Sequence, residues 1–131
     1  MITFDEVAEM LDEIAEEIPQ EFYHELYGGI ILLPETKRHR NDAMNTGSLF
    51  TLGEYHNARK GMGGMGRYIA IYYGSFMKLY AHLSPDRLKD RLRHTLIHEF
   101  THHIESLAGE KGLALKDEIR LEEYKRRFIK P

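Results

Sequence analysis

The chain contains no cysteine. Disulfides and thiolate metal sites are therefore excluded, and any metal must be held by histidine and carboxylate. It also lacks any apolar run approaching the ~18 residues of a membrane span. The N-terminal stretch MITFDEVAEMLDEIAEEI is acidic and amphipathic, without a basic leader region, so no signal peptide is expected and the expected location is the cytoplasm. A basic surplus is missing too. Lys and Arg number 18 against 21 Asp and Glu, a net charge of -3, so nothing in the composition points to nucleic acid. Repeats and low-complexity segments are absent from the sequence, and its oligomeric state is not legible.

What remains is an ordinary globular composition, 42% hydrophobic and 30% charged, over 131 residues. That is enough chain for one domain, residues 1–131, with one modest core. Thr3 and Glu6 have capping-box spacing, and Phe4, Val7, Leu11, Ile14 and Ile18 follow at helical intervals, which predicts an amphipathic helix over 3–18. Pro19 punctuates it and starts a short turn through Phe22 and Leu26. GIILLP after Gly28-Gly29 reads as a buried strand, and 35–47 as a polar loop. The basic triplet Lys37, Arg38 and His39 in that loop is too short to argue for nucleic acid. LFTLGEYH (49–56) and RYIAIYYG (67–74) read as two further strands. Gly61, Gly63 and Gly66 match G-x-G-x-x-G, but a strand follows where a dinucleotide site needs a helix, so they read as a hairpin loop, a mobile rim to any cleft. SFMKLYAH reads as a short helix.

Ser84, Pro85 and Asp86 then give a strong helix start, with expected helix to Ala108 and Gly109 as its stop. On a wheel at ~100° per residue, Leu88, Leu92, Leu96, Phe100, Ile104 and Leu107 form one apolar stripe. His98, His102 and Glu105 fall on the opposite side, with His94 nearby and Glu99 about a quarter-turn away. His98 and His102 are spaced i, i+4, so both imidazoles reach one point beside the helix. With Glu99 between them the pattern is H-E-x-x-H. Zinc takes two neutral imidazoles from one rigid helix at little ordering cost, and a carboxylate beside them serves as general base towards an activated water. The pattern alone is only moderately specific in a chain with 8 histidines, and a solvated polar face is the plain alternative. Its setting, on a long capped helix away from the core stripe with strands upstream, favours the metal.

From His98 outward the chain resembles the zincin metallopeptidases, and more narrowly a small single-domain bacterial zincin-like family. The residues that carry the resemblance are the acidic N-terminal helix, GEYHN, RYIAIYYG and HTLIHEFTHH with its doubled histidine. It implies an α+β fold: a small twisted sheet packed against the long active-site helix, an edge strand bordering the cleft, and helices at both ends. It implies zinc as the cofactor, His98 and His102 as ligands, Glu99 as the catalytic carboxylate, and a peptide or protein substrate. One departure stands out. The family's longer pattern is similar to H-E-x-x-H-x-x-G-x-x-D, whose aspartate is the third ligand; Glu105 and Ala108 occupy the glycine and aspartate positions here. Glu105, at i+7 from His98 and within ~20° of it on the wheel, is the favoured replacement. Asp117, Glu118 and Glu122 in the following segment are alternatives, and Glu54 and His56 are weaker ones that can line the cleft instead. The plain alternative for Glu105 is an outer partner fixing a histidine tautomer. His103 points away from the pair and reads as a structural histidine; His94 reads as a solvated neighbour or a cleft residue. Rival functions are a metal-binding or interaction module without turnover, and hydrolysis of a non-peptide amide.

Overall fold

The computed structural model describes residues 1–39, 49–57, 66–111 and 122–126. Helix α1 spans Phe4–Glu17, and its capping box is formed as expected: the Glu6 N–H donates to Thr3 Oγ1 at 3.2 Å and the Thr3 N–H to Glu6 Oε1 at 3.0 Å. Its apolar stripe, Val7, Leu11 and Ile14, is buried. A 3-10 turn at Gln20–Tyr23 follows Pro19 and buries Phe22. Strand β1 is Gly29–Leu33, β2 Lys37–Arg38, β3 Phe50–Thr51, β4 Gly53–His56 and β5 Tyr68–Tyr72. Helix α2, Tyr73–Tyr80, continues directly from β5, and α3 runs from Pro85 to Lys111. Residues 122–126 are helical.

Three strands form one sheet in the order β1-β5-β4, with β1 parallel and β4 antiparallel to β5. Strand β5 is central, and its run Ile69, Ala70 and Ile71 is fully buried, as expected of a strand covered on both faces. Helix α3 packs on β4 and β5, and α1 packs against α3. The predicted stripe of α3, from Leu88 to Leu107, lies in the core with Ile97. Tyr23 stands edge-on to Phe100 at 5.0 Å, and Tyr124 edge-on to Phe22 at 6.1 Å, so the 122–126 segment docks on the same core. Arg93 forks onto Glu17 at 2.8 and 3.0 Å, and Lys89 reaches Glu13 at 2.8 Å. These α1–α3 pairs are partly exposed, so they fix orientation more than they stabilise.

The α+β architecture is as expected, but four local readings are corrected. Residues 35–47 are not all loop, because β2 pairs with β3 in an antiparallel ribbon. Nothing local makes Lys37-Arg38 a strand. The cause is tertiary: the Lys37 N–H donates to Ser75 Oγ at 2.9 Å, the Ser75 hydroxyl faces the Lys37 carbonyl at 3.3 Å, and the Gly74 N–H donates to the Glu35 carbonyl at 3.1 Å. The 49–56 strand is divided at Leu52, with 50–51 pairing to β2 and 53–56 to β5. The expected 67–74 strand stops at Tyr72, where α2 begins without a connecting residue. Finally, α3 passes through Gly109 instead of stopping there; the positive-φ glycines among the described residues are Gly29 and Gly66, so Gly109 does not form a left-handed cap. The glycine-rich stretch 61–65 and most of the expected C-terminal helix lie outside the described residues.

The Gly74 contact has a steric consequence. A Cβ there would lie 2.7 Å from the Glu35 carbonyl carbon and the Thr36 nitrogen, and closer still to Thr36 Oγ1. Gly74→Ala is expected to cost about 1–3 kcal/mol of stability in urea unfolding, the usual range for overpacking. A loss below ~0.5 kcal/mol would show that the β2 wall is not packed against α2 in this way.

Candidate active site

Between α3 and the β2–β4 strands lies a cleft of about 1110 Å³. His94, His98, Glu99 and His102 of α3 line one wall, and Lys37, Glu54 and Tyr55 are on the other. Gly53 sets the separation of the walls. Its Cβ would meet Thr95 Cγ2 at 3.0 Å and Ile71 Cδ1 at 3.1 Å, both tighter than ordinary contact, so the absence of a side chain helps β4 press closely on α3.

His98 and His102 are both exposed to the cleft, and their Nε2 atoms lie 3.2 Å apart with ring planes at 87°. Two imidazole nitrogens on a tetrahedral zinc, each at about 2.05 Å, stand roughly 3.3 Å apart. The spacing of the pair thus matches that of two ligands on a shared zinc. His98 is held below the ordinary histidine range by desolvation, then by His102, His94 and Lys125, while Glu105 pulls the other way. The helical segment containing Lys125 therefore lies within electrostatic reach of the site.

Glu99 is only 7% exposed, the setting a quarter-turn from the histidines gives it. Burial raises its pKa above the usual carboxylate value; the nearby His102 and a hydrogen bond from the Tyr55 backbone N–H act in the opposite sense. Raising a carboxyl towards neutrality is the adjustment a general base or acid requires. Glu54, across the cleft, is treated in the reverse way. Burial pushes it up, but the Lys37 ammonium at 2.6 Å and the Tyr72 hydroxyl at 2.6 Å overcome this and hold it below the carboxylate range. The same carboxylate and burial push the Tyr72 hydroxyl up to about 12.

Of the residues expected from sequence, His98, Glu99 and His102 are brought together. Glu105 is exposed on the same helix and close enough to act on the charge of His98, but among the described residues no group of three or more histidines and carboxylates converges on one point. Glu122 is exposed and accepts from Lys125 at 3.4 Å. Asp117 and Glu118 lie outside the described residues. His94 and Glu54 line the cleft, whereas His56 stacks on Tyr68 at 4.4 Å and lies off its lining. His103 is fully buried, as its direction implied. Its Nε2 is 2.7 Å from the His24 carbonyl and its Nδ1 2.8 Å from the Tyr55 hydroxyl.

Sequence reasoning missed Lys37, Tyr55 and Tyr72. Tyr55 was accessible in principle, since strand alternation puts it on the same face as Gly53, towards the helix. Lys37 carries no local signal, because its place depends on Ser75.

An H-E-x-x-H helix flanked by the edge strand of a small mixed sheet defines a zincin-type domain. The profile of the zincin-like metallopeptidases matches residues 33–122, and the chain belongs to that family. A solved structure of a conserved hypothetical protein from Thermo thermophilus is similar: 31% identical, with 83% of this chain and 100% of that one covered and a TM-score of 0.68. None of the curated proteins gives a significant match. Among the described residues, no helix is long and apolar enough to cross a membrane.

The buried neutral His103 makes stability depend on pH. Burial lowers its folded pKa below 6.5, so the unfolded chain takes up a proton that the folded chain resists. Its contribution is complete above that value and is lost as the pH falls through it. Urea unfolding of the metal-free protein should show stability dropping from pH 8 to pH 5.5, and less steeply in His103→Asn. A flat wild-type profile would contradict this account.

Proposed function

We propose that the protein is a zinc-dependent hydrolase of peptide bonds, with His98 and His102 as metal ligands and Glu99 as general base. The observation that carries the reading is the convergence of the two Nε2 atoms, 3.2 Å apart, beside a buried carboxylate of raised pKa. When bound, zinc supplies Lewis-acid polarisation of a carbonyl and a lowered pKa for water. The chain's own part is to place and move protons. The Glu99 carboxylate accepts a proton from the attacking water, and the burial that raises its pKa lets it hold that proton and pass it to the leaving amine nitrogen.

Substrate is bound along β4. The bond from the Tyr72 N–H to the Leu52 carbonyl, with the β4–β5 register, turns the backbone groups of Leu52, Glu54 and His56 towards β5. Those of Gly53 lie outside that ladder, on the cleft side, where an extended peptide can align with the strand edge, while the outward Tyr55 N–H is taken by Glu99. Glu105 is proposed as third ligand, on the strength of its charge reaching His98. A second reading, a metal-binding module without useful turnover, is favoured by the absence of a converging third ligand among the described residues.

Zinc should bind at about one per chain. His98→Ala should lose it while retaining the fold, because the His98 side chain is exposed and outside the core. Full zinc stoichiometry in that variant, measured on untagged protein, would remove the assignment. Glu99→Gln should keep zinc and lose ~10²- to 10⁴-fold in rate on any peptide cleaved by wild type. Activity within about threefold of wild type would rule out the base. Zinc binding with no cleavage across a broad peptide library would favour the module. Glu105→Gln separates a ligand from an outer partner: the first should leave a site that holds zinc poorly, the second should lose only ~10- to 100-fold in affinity.

A further inference from the structure

We infer that His103 is a positioning residue for Glu99, acting through Tyr55: His103 fixes the Tyr55 phenol, and the Tyr55 backbone N–H in turn fixes the Glu99 carboxyl. The inference rests on the reading of Glu99 as the general base.

Glu99 and His103 are four residues apart on α3, so they stand one above the other on its sheet-facing side, 7% and 0% exposed. One residue of β4 touches both. The Tyr55 N–H reaches the Glu99 carboxyl, and the Tyr55 hydroxyl lies 2.8 Å from His103 Nδ1, with ring centroids 5.3 Å apart.

The chemistry fixes the direction of each bond. The His24 carbonyl can only accept, so His103 Nε2 carries the proton. The neutral ring then presents Nδ1 as an acceptor, and the Tyr55 hydroxyl donates to it. Both ring nitrogens are committed, which leaves His103 no part in holding a metal. The far end of the relay is itself held. His24 precedes Glu25, whose φ of 59° is left-handed, and Glu25 pairs with Arg67 at 3.5 Å.

A buried histidine bonded to a half-buried tyrosine is costly for packing alone. Two apolar side chains of the same shape would fill the space without desolvating three polar atoms. What the polar pair adds is direction. β4 is the outer strand of its sheet, so its distance from α3 is set by what crosses the gap. Gly53 closes the gap at one end through its contact with Thr95, and the Tyr55–His103 bond sets it at the other. Misplacing a base by ~1 Å can cost on the order of 10² in rate.

Amide hydrogen exchange on the metal-free, ¹⁵N-labelled full chain tests this without zinc or substrate. Three variants separate the bonds. Tyr55→Phe removes the hydroxyl alone. His103→Asn keeps an acceptor near Nδ1, and His103→Gln keeps a donor near Nε2 for the His24 carbonyl. Tyr55→Phe and His103→Gln should speed exchange of the residue-55 amide by at least about tenfold, with the Ile69 and Leu96 amides unchanged, while His103→Asn stays within about threefold of wild type. On a cleaved peptide, the same two variants should lower kcat and leave KM and zinc affinity in place.

An unprotected Tyr55 amide in wild type, or one unaffected by Tyr55→Phe, overturns the inference. So does acceleration of all three amides by one factor, which is the mark of a merely structural role. If the His103 variants fail to fold, Tyr55→Phe decides alone. Because the exchange arm needs neither metal nor turnover, it can succeed while the hydrolase reading fails, or fail while that reading stands.

Discussion

The approach of β4 to α3 is the constraint on which the cleft depends. At Gly53 the two elements are closer than a side chain would readily fit, 3.0 Å from a would-be Cβ to the Thr95 methyl. That contact buries Glu99, brings the Tyr55 amide to it, and leaves the histidine pair at the open side. A wider gap would hydrate the carboxyl and return its pKa to the ordinary range. A narrower one would shut the groove beside His98 and His102.

The two carboxylates facing the cleft show how placement alone separates chemical roles. Both are partly desolvated. Glu54 is answered by a cation and a phenol and stays charged; Glu99 has weaker support and is pulled upwards. The cation that answers Glu54 comes from β2, a two-residue strand held by Ser75 at the start of α2. The far wall of the cleft thus owes its electrostatics to a contact on the other side of the sheet edge.

How legible this was in the sequence follows from the range of each interaction. Helices α1 and α3 were readable because caps and 3.6-residue periodicity are local, and the same periodicity placed His98 opposite Leu96 and Phe100. The burial of His103 was implied by its direction on that wheel. The β2–β3 ribbon was not readable, because Lys37 is a strand residue only in the presence of Ser75, 38 positions on. The division at Leu52 was hidden too, since LFTLGEYH has strand character throughout and only the change of partner breaks it. Gly109 misled in the other direction. A glycine favours a helix end chiefly by turning left-handed, and Gly109 does not turn, so α3 runs on to Lys111.

The site divides into a part made within one helix and a part made between distant segments. The histidine pair needs only one turn of α3, whereas the surroundings of Glu99 need β4, which is placed by β5, which is in turn flanked by β1. Contacts within a helix form on a far shorter timescale than sheet pairings that close long loops. As the full chain folds, the histidine pair would therefore be set within α3 before the surroundings of Glu99 close around it. The exposed half of the site needs only local order, whereas its buried half waits for the sheet.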